Sequence, residues 1–157
     1  MNVMKKIMIL AAVLAATMIS CDKYEDGRPG KDVISQFDRM YPEAFDVEWG
    51  REGTYWEVSF ETGARPNGIE HEAIYDADGN WIQTKTEISI GNVPQFIRDF
   101  LTADPVYGSA SLADNEADYI ETPSGNFYRF SIRLDGITVE VDVNENGKVS
   151  LAAYLRW

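Results

Sequence analysis

A single histidine and many carboxylates are the side chains through which this chain could act as an acid, a base or a metal ligand. His71 is the only histidine, and it stands between Glu70 and Glu72. Its unperturbed pKa would lie near neutrality. Because side chains alternate between the faces of a strand, both glutamates lie on one face and His71 on the other. The three cannot bind one metal ion together, and the pattern predicts a partly buried histidine where the sheet meets a helix.

A second acidic group has part of the spacing of a calcium-binding loop and consists of Asp76, Asp78, Asn80 and Glu87. Such a loop needs a glycine at its sixth position, where this chain has Trp81. Gly79 comes two residues earlier and follows an aspartate, which is typical of a tight hairpin turn because glycine adopts positive φ readily. We therefore predict a hairpin and no metal site.

Other catalytic patterns are missing from the sequence. No glycine-rich phosphate loop follows a strand, and one strand histidine gives no basis for a Ser-His-Asp arrangement. No pair of carboxylates lies in an apolar segment that would raise a pKa, as a glycosidase requires. We expect a protein that is not an enzyme and needs no cofactor.

The one cysteine, Cys21, follows a segment with the layout of a secretory signal. Residues 1–20 contain Lys5 and Lys6 and then an apolar run over 7–18, which is too short to span a membrane. Ser20 before Cys21 resembles the lipobox of bacterial lipoproteins, although Met18 stands where leucine is usual. The resemblance implies a signal peptide over 1–20 and a lipid on Cys21. The alternative is an ordinary signal followed by a free or buried cysteine.

Charge restricts the partners of the exported chain. Removal of Lys5 and Lys6 with the signal takes the net charge from −12 to −14. Such a chain repels phosphate backbones and anionic membranes, so we expect no nucleic-acid partner and membrane attachment through the N-terminal lipid alone. Acids soon after the cysteine resemble the surface-export signals of Bacteroidetes lipoproteins, whereas Asp22 in enterobacteria would indicate inner-membrane retention. We expect an outer-membrane anchor facing the periplasm or the cell surface.

The polar residues 21–31 form a predicted tether, and residues 32–157 form the folded domain. Asp32 can cap a helix whose apolar stripe is Val33, Phe37 and Tyr41. A second helix opens at Val93-Pro94 and closes at Asp104-Pro105, with its apolar stripe formed by Phe96, Ile97, Phe100 and Leu101. Each helix precedes a set of strands, which divides the domain into halves of about 32–90 and 91–157.

Three strands are predicted in each half. In the first half they cover about 55–60, 68–75 and 81–85, and residues 106–118 of the second half are predicted to be a loop. Residues 68–81 align without a gap on 136–149, with matching turn glycines. The predicted fold class is α+β: tandem helix-plus-antiparallel-hairpin repeats forming one antiparallel sheet with its helices on one face.

These segments resemble the PepSY-like, β-lactamase-inhibitor-like domains of exported Bacteroidetes proteins. The matching stretches are Tyr41-Pro42-Glu43-Ala44, Val47-Glu48-Trp49, the strand 55–60, the turn 76–81 and Val93-Pro94. The resemblance covers nearly all of 32–157 and implies a tandem unit whose open sheet face binds another protein, as β-lactamase inhibitory proteins do. An envelope protein, for example a hydrolase, is the partner that the resemblance implies.

Strand residues on the face away from the helices are the candidate binding residues, and aromatic side chains ringed by acids are typical of a recognition surface. We single out Tyr55, Glu57, Ile74, Trp81, Phe127 and Arg129. Aromatic side chains on an open sheet can also merely pair across strands. The alternatives to a protein-binding module are a structural envelope lipoprotein without a tight partner and a small-ligand or metal-binding module.

Overall fold

The computed structural model describes residues 27–153, which form two α-helices, one 3₁₀ turn and one eight-stranded antiparallel sheet. The elements follow one another as α1 (Lys31–Met40), β1 (Phe45–Glu52), β2 (Tyr55–Thr62), β3 (Ile69–Tyr75), β4 (Trp81–Ser89), the 3₁₀ turn (Ile90–Asn92), α2 (Gln95–Ala103), β5 (Ser111–Glu121), β6 (Phe127–Leu134), β7 (Ile137–Asn144) and β8 (Val149–Leu151). Strand order in the sheet is the order along the chain. The predicted lipid site Cys21 and the signal peptide lie outside the described residues. Within 27–153, no helix has the length and apolar character needed to cross a membrane.

The helix α1 is amphipathic as predicted, and Val33 and Phe37 are buried. Its N-cap is Gly30, and no side chain caps it, so the prediction that Asp32 is the cap is wrong. Asp32 lies in the first turn instead, where its charge interacts favourably with the helix dipole. The helix ends at Met40 because Pro42 disfavours helical geometry at the residue before it.

The helix α2 begins after Pro94 and ends before Asp104, close to the predicted bounds. Ile97 and Leu101 are buried against the sheet. Phe96 is 49% exposed, so it does not belong to the buried stripe. Its neighbour Phe100 packs against the core instead.

Both helices pack on one face of the sheet, which confirms the α+β class and the antiparallel sheet. Beneath α1 lies a cluster of buried residues that includes Val58, Phe60, Ala73 and Tyr75. Beneath α2 lies a second cluster that includes Ala117, Tyr128, Phe130, Val141 and Val143. The facing positions Ile88 and Ala117 of β4 and β5 connect the two halves of the sheet, since directly paired residues share a face.

Each half contains one more strand than the sequence predicts. In the first half the extra strand is β1, whose pairing with β2 shifts between Phe45 and Glu48. In the second half it is β5, which occupies part of the segment predicted to be a loop and whose pairing with β6 shifts between Leu112 and Ala117. Such irregularities break the strict alternation by which a strand is recognised in a sequence.

The two predicted hairpin turns share one hydrogen-bond pattern. The Asp76 carboxylate accepts the backbone N–H groups of Asp78 and Asn80, and the Asn144 side-chain oxygen accepts those of Asn146 and Lys148. Both turns contain a glycine at positive φ, Gly79 at 89° and Gly147 at 83°. The hydrogen bonds from Asn80 to both Asp76 carboxylate oxygens fit the predicted hairpin turn.

Candidate functional site

The open face is the surface of the sheet that points away from α1 and α2. Its positions alternate with the core positions of each strand, so Tyr55 and Glu57 lie on it, whereas Trp56 and Val58 lie on the helix side. By the same alternation, Phe127 and Arg129 lie on it beside the core residue Tyr128. The structure therefore has these four residues on the open face, and their role in binding a protein stays a prediction.

Trp81 is placed differently from the prediction. The pairing of β3 with β4 shifts between Ile74 and Tyr75, so that Tyr75 pairs with Trp81. Because direct partners share a face, Trp81 joins Tyr75 on the helix side, where it packs against the α1 cluster. Its indole N–H donates to the Thr84 hydroxyl over 2.9 Å. The expectation that Trp81 lies on the open face is therefore wrong, and an irregular hairpin is the cause.

Ile74 lies on the open face as predicted, but it is only 3% exposed. Ile120 of β5 is also on this face and is 1% exposed. Both line a depression that Ala153 borders. These two isoleucines form a small second apolar centre under the charged side chains, and Ile74 offers almost no surface to a partner.

Arg129 is held by acids of the neighbouring strand. Its Nε and Nη2 atoms donate to the two carboxylate oxygens of Asp142 over 2.8 and 3.1 Å. Glu140 lies 3.9 Å away, and Nη2 also donates to the carbonyl of Ala153. A fork of this kind is the strongest geometry for an ion pair. Arg129 therefore has a structural role within the face.

Carboxylates outnumber basic groups on the open face. Among the described residues, the acids there include Glu57, Glu70, Glu72, Glu87, Asp118, Glu140 and Asp142, and the bases are Lys85, Arg129 and Arg133. Lys85 pairs with Glu72 over 3.1 Å. Burial by itself would lower the pKa of Lys85, but the attraction of Glu72 and further acids outweighs it and raises that pKa.

Crowding of these acids perturbs their ionisation. Burial, followed by repulsion from Glu72 and Glu52, raises the pKa of Glu57. Repulsion from Glu116 is the main cause that raises the pKa of Glu87. Burial also raises the pKa of Asp118 despite the nearby cations. The face thus holds negative charge that its own bases do not neutralise.

His71 lies on the helix side of β3 and is partly buried, as predicted. Its Nε2 atom is 2.8 Å from the Thr62 hydroxyl, and its Nδ1 atom is 2.7 Å from the Thr86 hydroxyl. Its ring stacks on Phe60 with centroids 5.1 Å apart. Burial lowers the pKa of His71, which favours the neutral ring. Both nitrogens are engaged, so the structure assigns this histidine to packing.

No group of three or more His, Cys, Asp or Glu side chains within 27–153 is arranged to hold a metal ion. Glu70 and Glu72 lie on the opposite face of β3 from His71, which confirms the predicted alternation.

No protein-family model and no curated protein matches the chain. Among solved structures, a BLIP-like protein from Bacteroides fragilis is similar with 21% sequence identity and a TM-score of 0.67, over 83% of this chain and 94% of that one. A DUF2874 family protein from Bacteroides ovatus has 20% identity and a TM-score of 0.65, over 80% and 89% of the two chains.

A protein from Bacteroides eggerthii that is proposed to be periplasmic has 16% identity and a TM-score of 0.62, over 78% of this chain and 86% of its own. At these identities the likeness shows the fold. The resemblance to β-lactamase-inhibitor-like proteins of Bacteroidetes is confirmed at that level, and the PepSY-like assignment stays a prediction.

Proposed function

We propose that this chain is an exported, non-catalytic module that binds a protein of the cell envelope through its open face, and that a hydrolase is the candidate class of partner. The observation that carries the proposal is the excess of carboxylates on that face. Repulsion among them contributes to the raised pKa of Glu57 and Glu87. A basic partner surface would relieve this repulsion and would be drawn to the face by long-range attraction. The shared fold with a BLIP-like protein supports a protein as the ligand.

The absence of catalysis is part of the proposal. The only neutral-range base, His71, is held between two threonine hydroxyls on the helix side of the sheet. The acids of the open face lie among other charged groups. Glu57 is close to Glu72 and Lys85, and Asp118 is close to Lys85 and Glu140. Turnover of a peptide, a glycan or a β-lactam by the purified protein would contradict this part.

The experiment is capture of envelope proteins by the immobilised chain, compared with two matched double variants. Glu57→Gln with Glu87→Gln removes two charges from the open face. Asp38→Asn with Glu43→Gln removes two exposed charges from α1 and the turn after it. We expect capture to fall with salt and to weaken about tenfold in the first variant alone. Equal capture by both variants would refute the assignment to this face.

We propose further that the halves 32–90 and 91–157 are tandem copies of one PepSY-like unit. The shared turn geometry at Asp76 and Asn144 supports this. Each turn glycine also lies against a helix residue of its own half, Gly79 against Asp32 and Gly147 against Phe100. In an experimental structure, superposition of the two halves should place 68–81 on 136–149. An offset of one residue would disprove the repeat, because it reverses every side chain.

We propose that residues 1–20 are removed, that Cys21 carries the lipid and that 21–31 tether the domain to the outer membrane. A fold neighbour proposed to be periplasmic is in keeping with export. Partitioning of the protein into a detergent phase should be lost in Cys21→Ser. Unchanged partitioning would show that another feature holds the protein at the membrane.

A further inference from the structure

A groove at one end of the sheet spans both halves of the chain. It is lined by the start of β4, by the turn between β5 and β6 and by the turn between β7 and β8. Its volume is about 610 Å³, which is in the range of sites for small ligands. Its lining includes the aromatic residues Trp81 and Phe127, which come from different halves and are each partly exposed.

The groove differs in charge from the depressions of the open face. Around the two aromatic rings stand the amide and hydroxyl side chains of Gln83, Asn126, Asn144, Asn146, Thr122 and Ser124. Of the lining residues within 27–153, Glu145 alone is charged. The neighbouring depressions of the open face each contain four or more acids. In a chain with a net charge of −12, this surface is suited to an uncharged, polar ligand.

Several amide groups in the groove retain hydrogen-bonding capacity. The Asn144 side-chain oxygen is used within its turn, which leaves the NH₂ group. The Asn126 NH₂ group donates to the Tyr119 hydroxyl, which leaves the carbonyl oxygen. Among the described residues, the side-chain amides of Gln83 and Asn146 have no hydrogen-bond partner. The groove therefore offers both donors and acceptors beside aromatic rings.

We propose that this groove binds a neutral oligosaccharide. A sugar ring has apolar C–H faces that pack on aromatic rings and hydroxyl groups that bond to planar amides. The described residues of the groove include no lysine or arginine to hold a phosphate or a carboxylate, and Glu145 would repel an anionic ligand. The site lies at the end of the sheet, where it shares Phe127 with the open face.

The test is an NMR titration of the ¹⁵N-labelled full chain with maltotriose, cellotriose and chitotriose, and with trigalacturonate as the anionic comparison. We expect at least one neutral trisaccharide to shift the Trp81 indole N–H signal and the Asn126 and Asn146 amide signals saturably. Trigalacturonate should leave these signals unchanged. The proposal is overturned if none of the neutral sugars shifts them, or if trigalacturonate shifts them equally.

Two variants locate the site. Phe127→Leu keeps an apolar side chain beside Ile120 but removes the ring, and it should weaken binding about tenfold. Asn146→Asp adds a charge in an exposed turn without disturbing packing, and it should also weaken binding. The matched control is Phe96→Leu on the exposed side of α2, which should bind as the unchanged chain does. Binding that survives both groove variants, or that is lost equally in the control, rejects this groove as the site.

Discussion

Replacement of Arg129 by methionine is the most direct test of how the open face is built. The arginine and Asp142 form a two-pronged ion pair, and their side chains are 11% and 14% exposed. Methionine fills similar space but leaves the Asp142 carboxylate nearly buried without its partner, on the same strand and face as Glu140. Loss of one partner of a buried pair costs about 3 to 5 kcal/mol. We expect about 3 kcal/mol here, because some solvent reaches both groups.

In a domain of this size, that loss lowers the melting temperature by roughly 10 °C. The assay is urea denaturation followed by tryptophan fluorescence. The double variant Arg129→Met with Asp142→Leu should recover most of the stability, since a buried pair can be replaced by apolar side chains at little cost. The control is Arg133→Met, an exposed position on the same strand and face, where the change should be within about 0.5 kcal/mol.

A loss below about 1 kcal/mol in Arg129→Met would refute the reasoning, as would a double variant no more stable than the single one. Either result would mean that solvent screens the pair despite its low exposure. Arg129 would then be available to a partner, as the sequence had predicted.

Three further predictions concern single positions. Glu57→Gln should stabilise the protein at pH 7 and should reduce the stability that the protein gains on acidification. Because the pKa of Glu57 is raised in the folded state, the unchanged protein gains stability as pH falls through that pKa towards the ordinary glutamate value of about 4.3. Thermal unfolding from pH 4 to 8 measures this pH dependence, and identical profiles of the two proteins would contradict the prediction. Gly147→Ala should lower the free energy of unfolding, measured in urea, by about 1 to 2 kcal/mol, because φ is +83° and the new Cβ would lie 2.9 Å from the ring of Phe100. The control Gly50→Ala has open space around it and should change the stability little. Thr84→Val should cost about 1 to 3 kcal/mol because it leaves the Trp81 indole N–H without its acceptor, and Thr84→Ser should restore most of it; equal loss in both variants would place the effect in packing instead.

Local periodicity was sufficient for much of this fold. The four-residue spacing of Val33 and Phe37 predicts α1, and the alternation around Val58 and Phe60 predicts β2 with its correct buried face. The Asp-Gly pair predicts the turn at Gly79. Each of these features depends on neighbours within a few residues, so the sequence contains the information directly.

Irregular pairing limited what could be read from periodicity. The strands β1 and β5 each contain a register shift, and the shift between β3 and β4 moves Trp81 to the helix side. A one-residue change in register exchanges the two faces of a strand. Such shifts are set by the partner strand and by the core beneath it, which a single segment does not specify.

The sequence by itself determined the helices, most of the strands, the alternation that separates His71 from its neighbouring glutamates, and the acidic character of the surface. Tertiary structure decided which acids neutralise Arg129, why Ile74 is buried on a charged face, and that Trp81 and Phe127 line one groove. The physical reason is the range of the interactions. Helix stripes and turns depend on residues close in the chain, whereas ion pairs, burial and grooves depend on strands that the fold brings together from far apart.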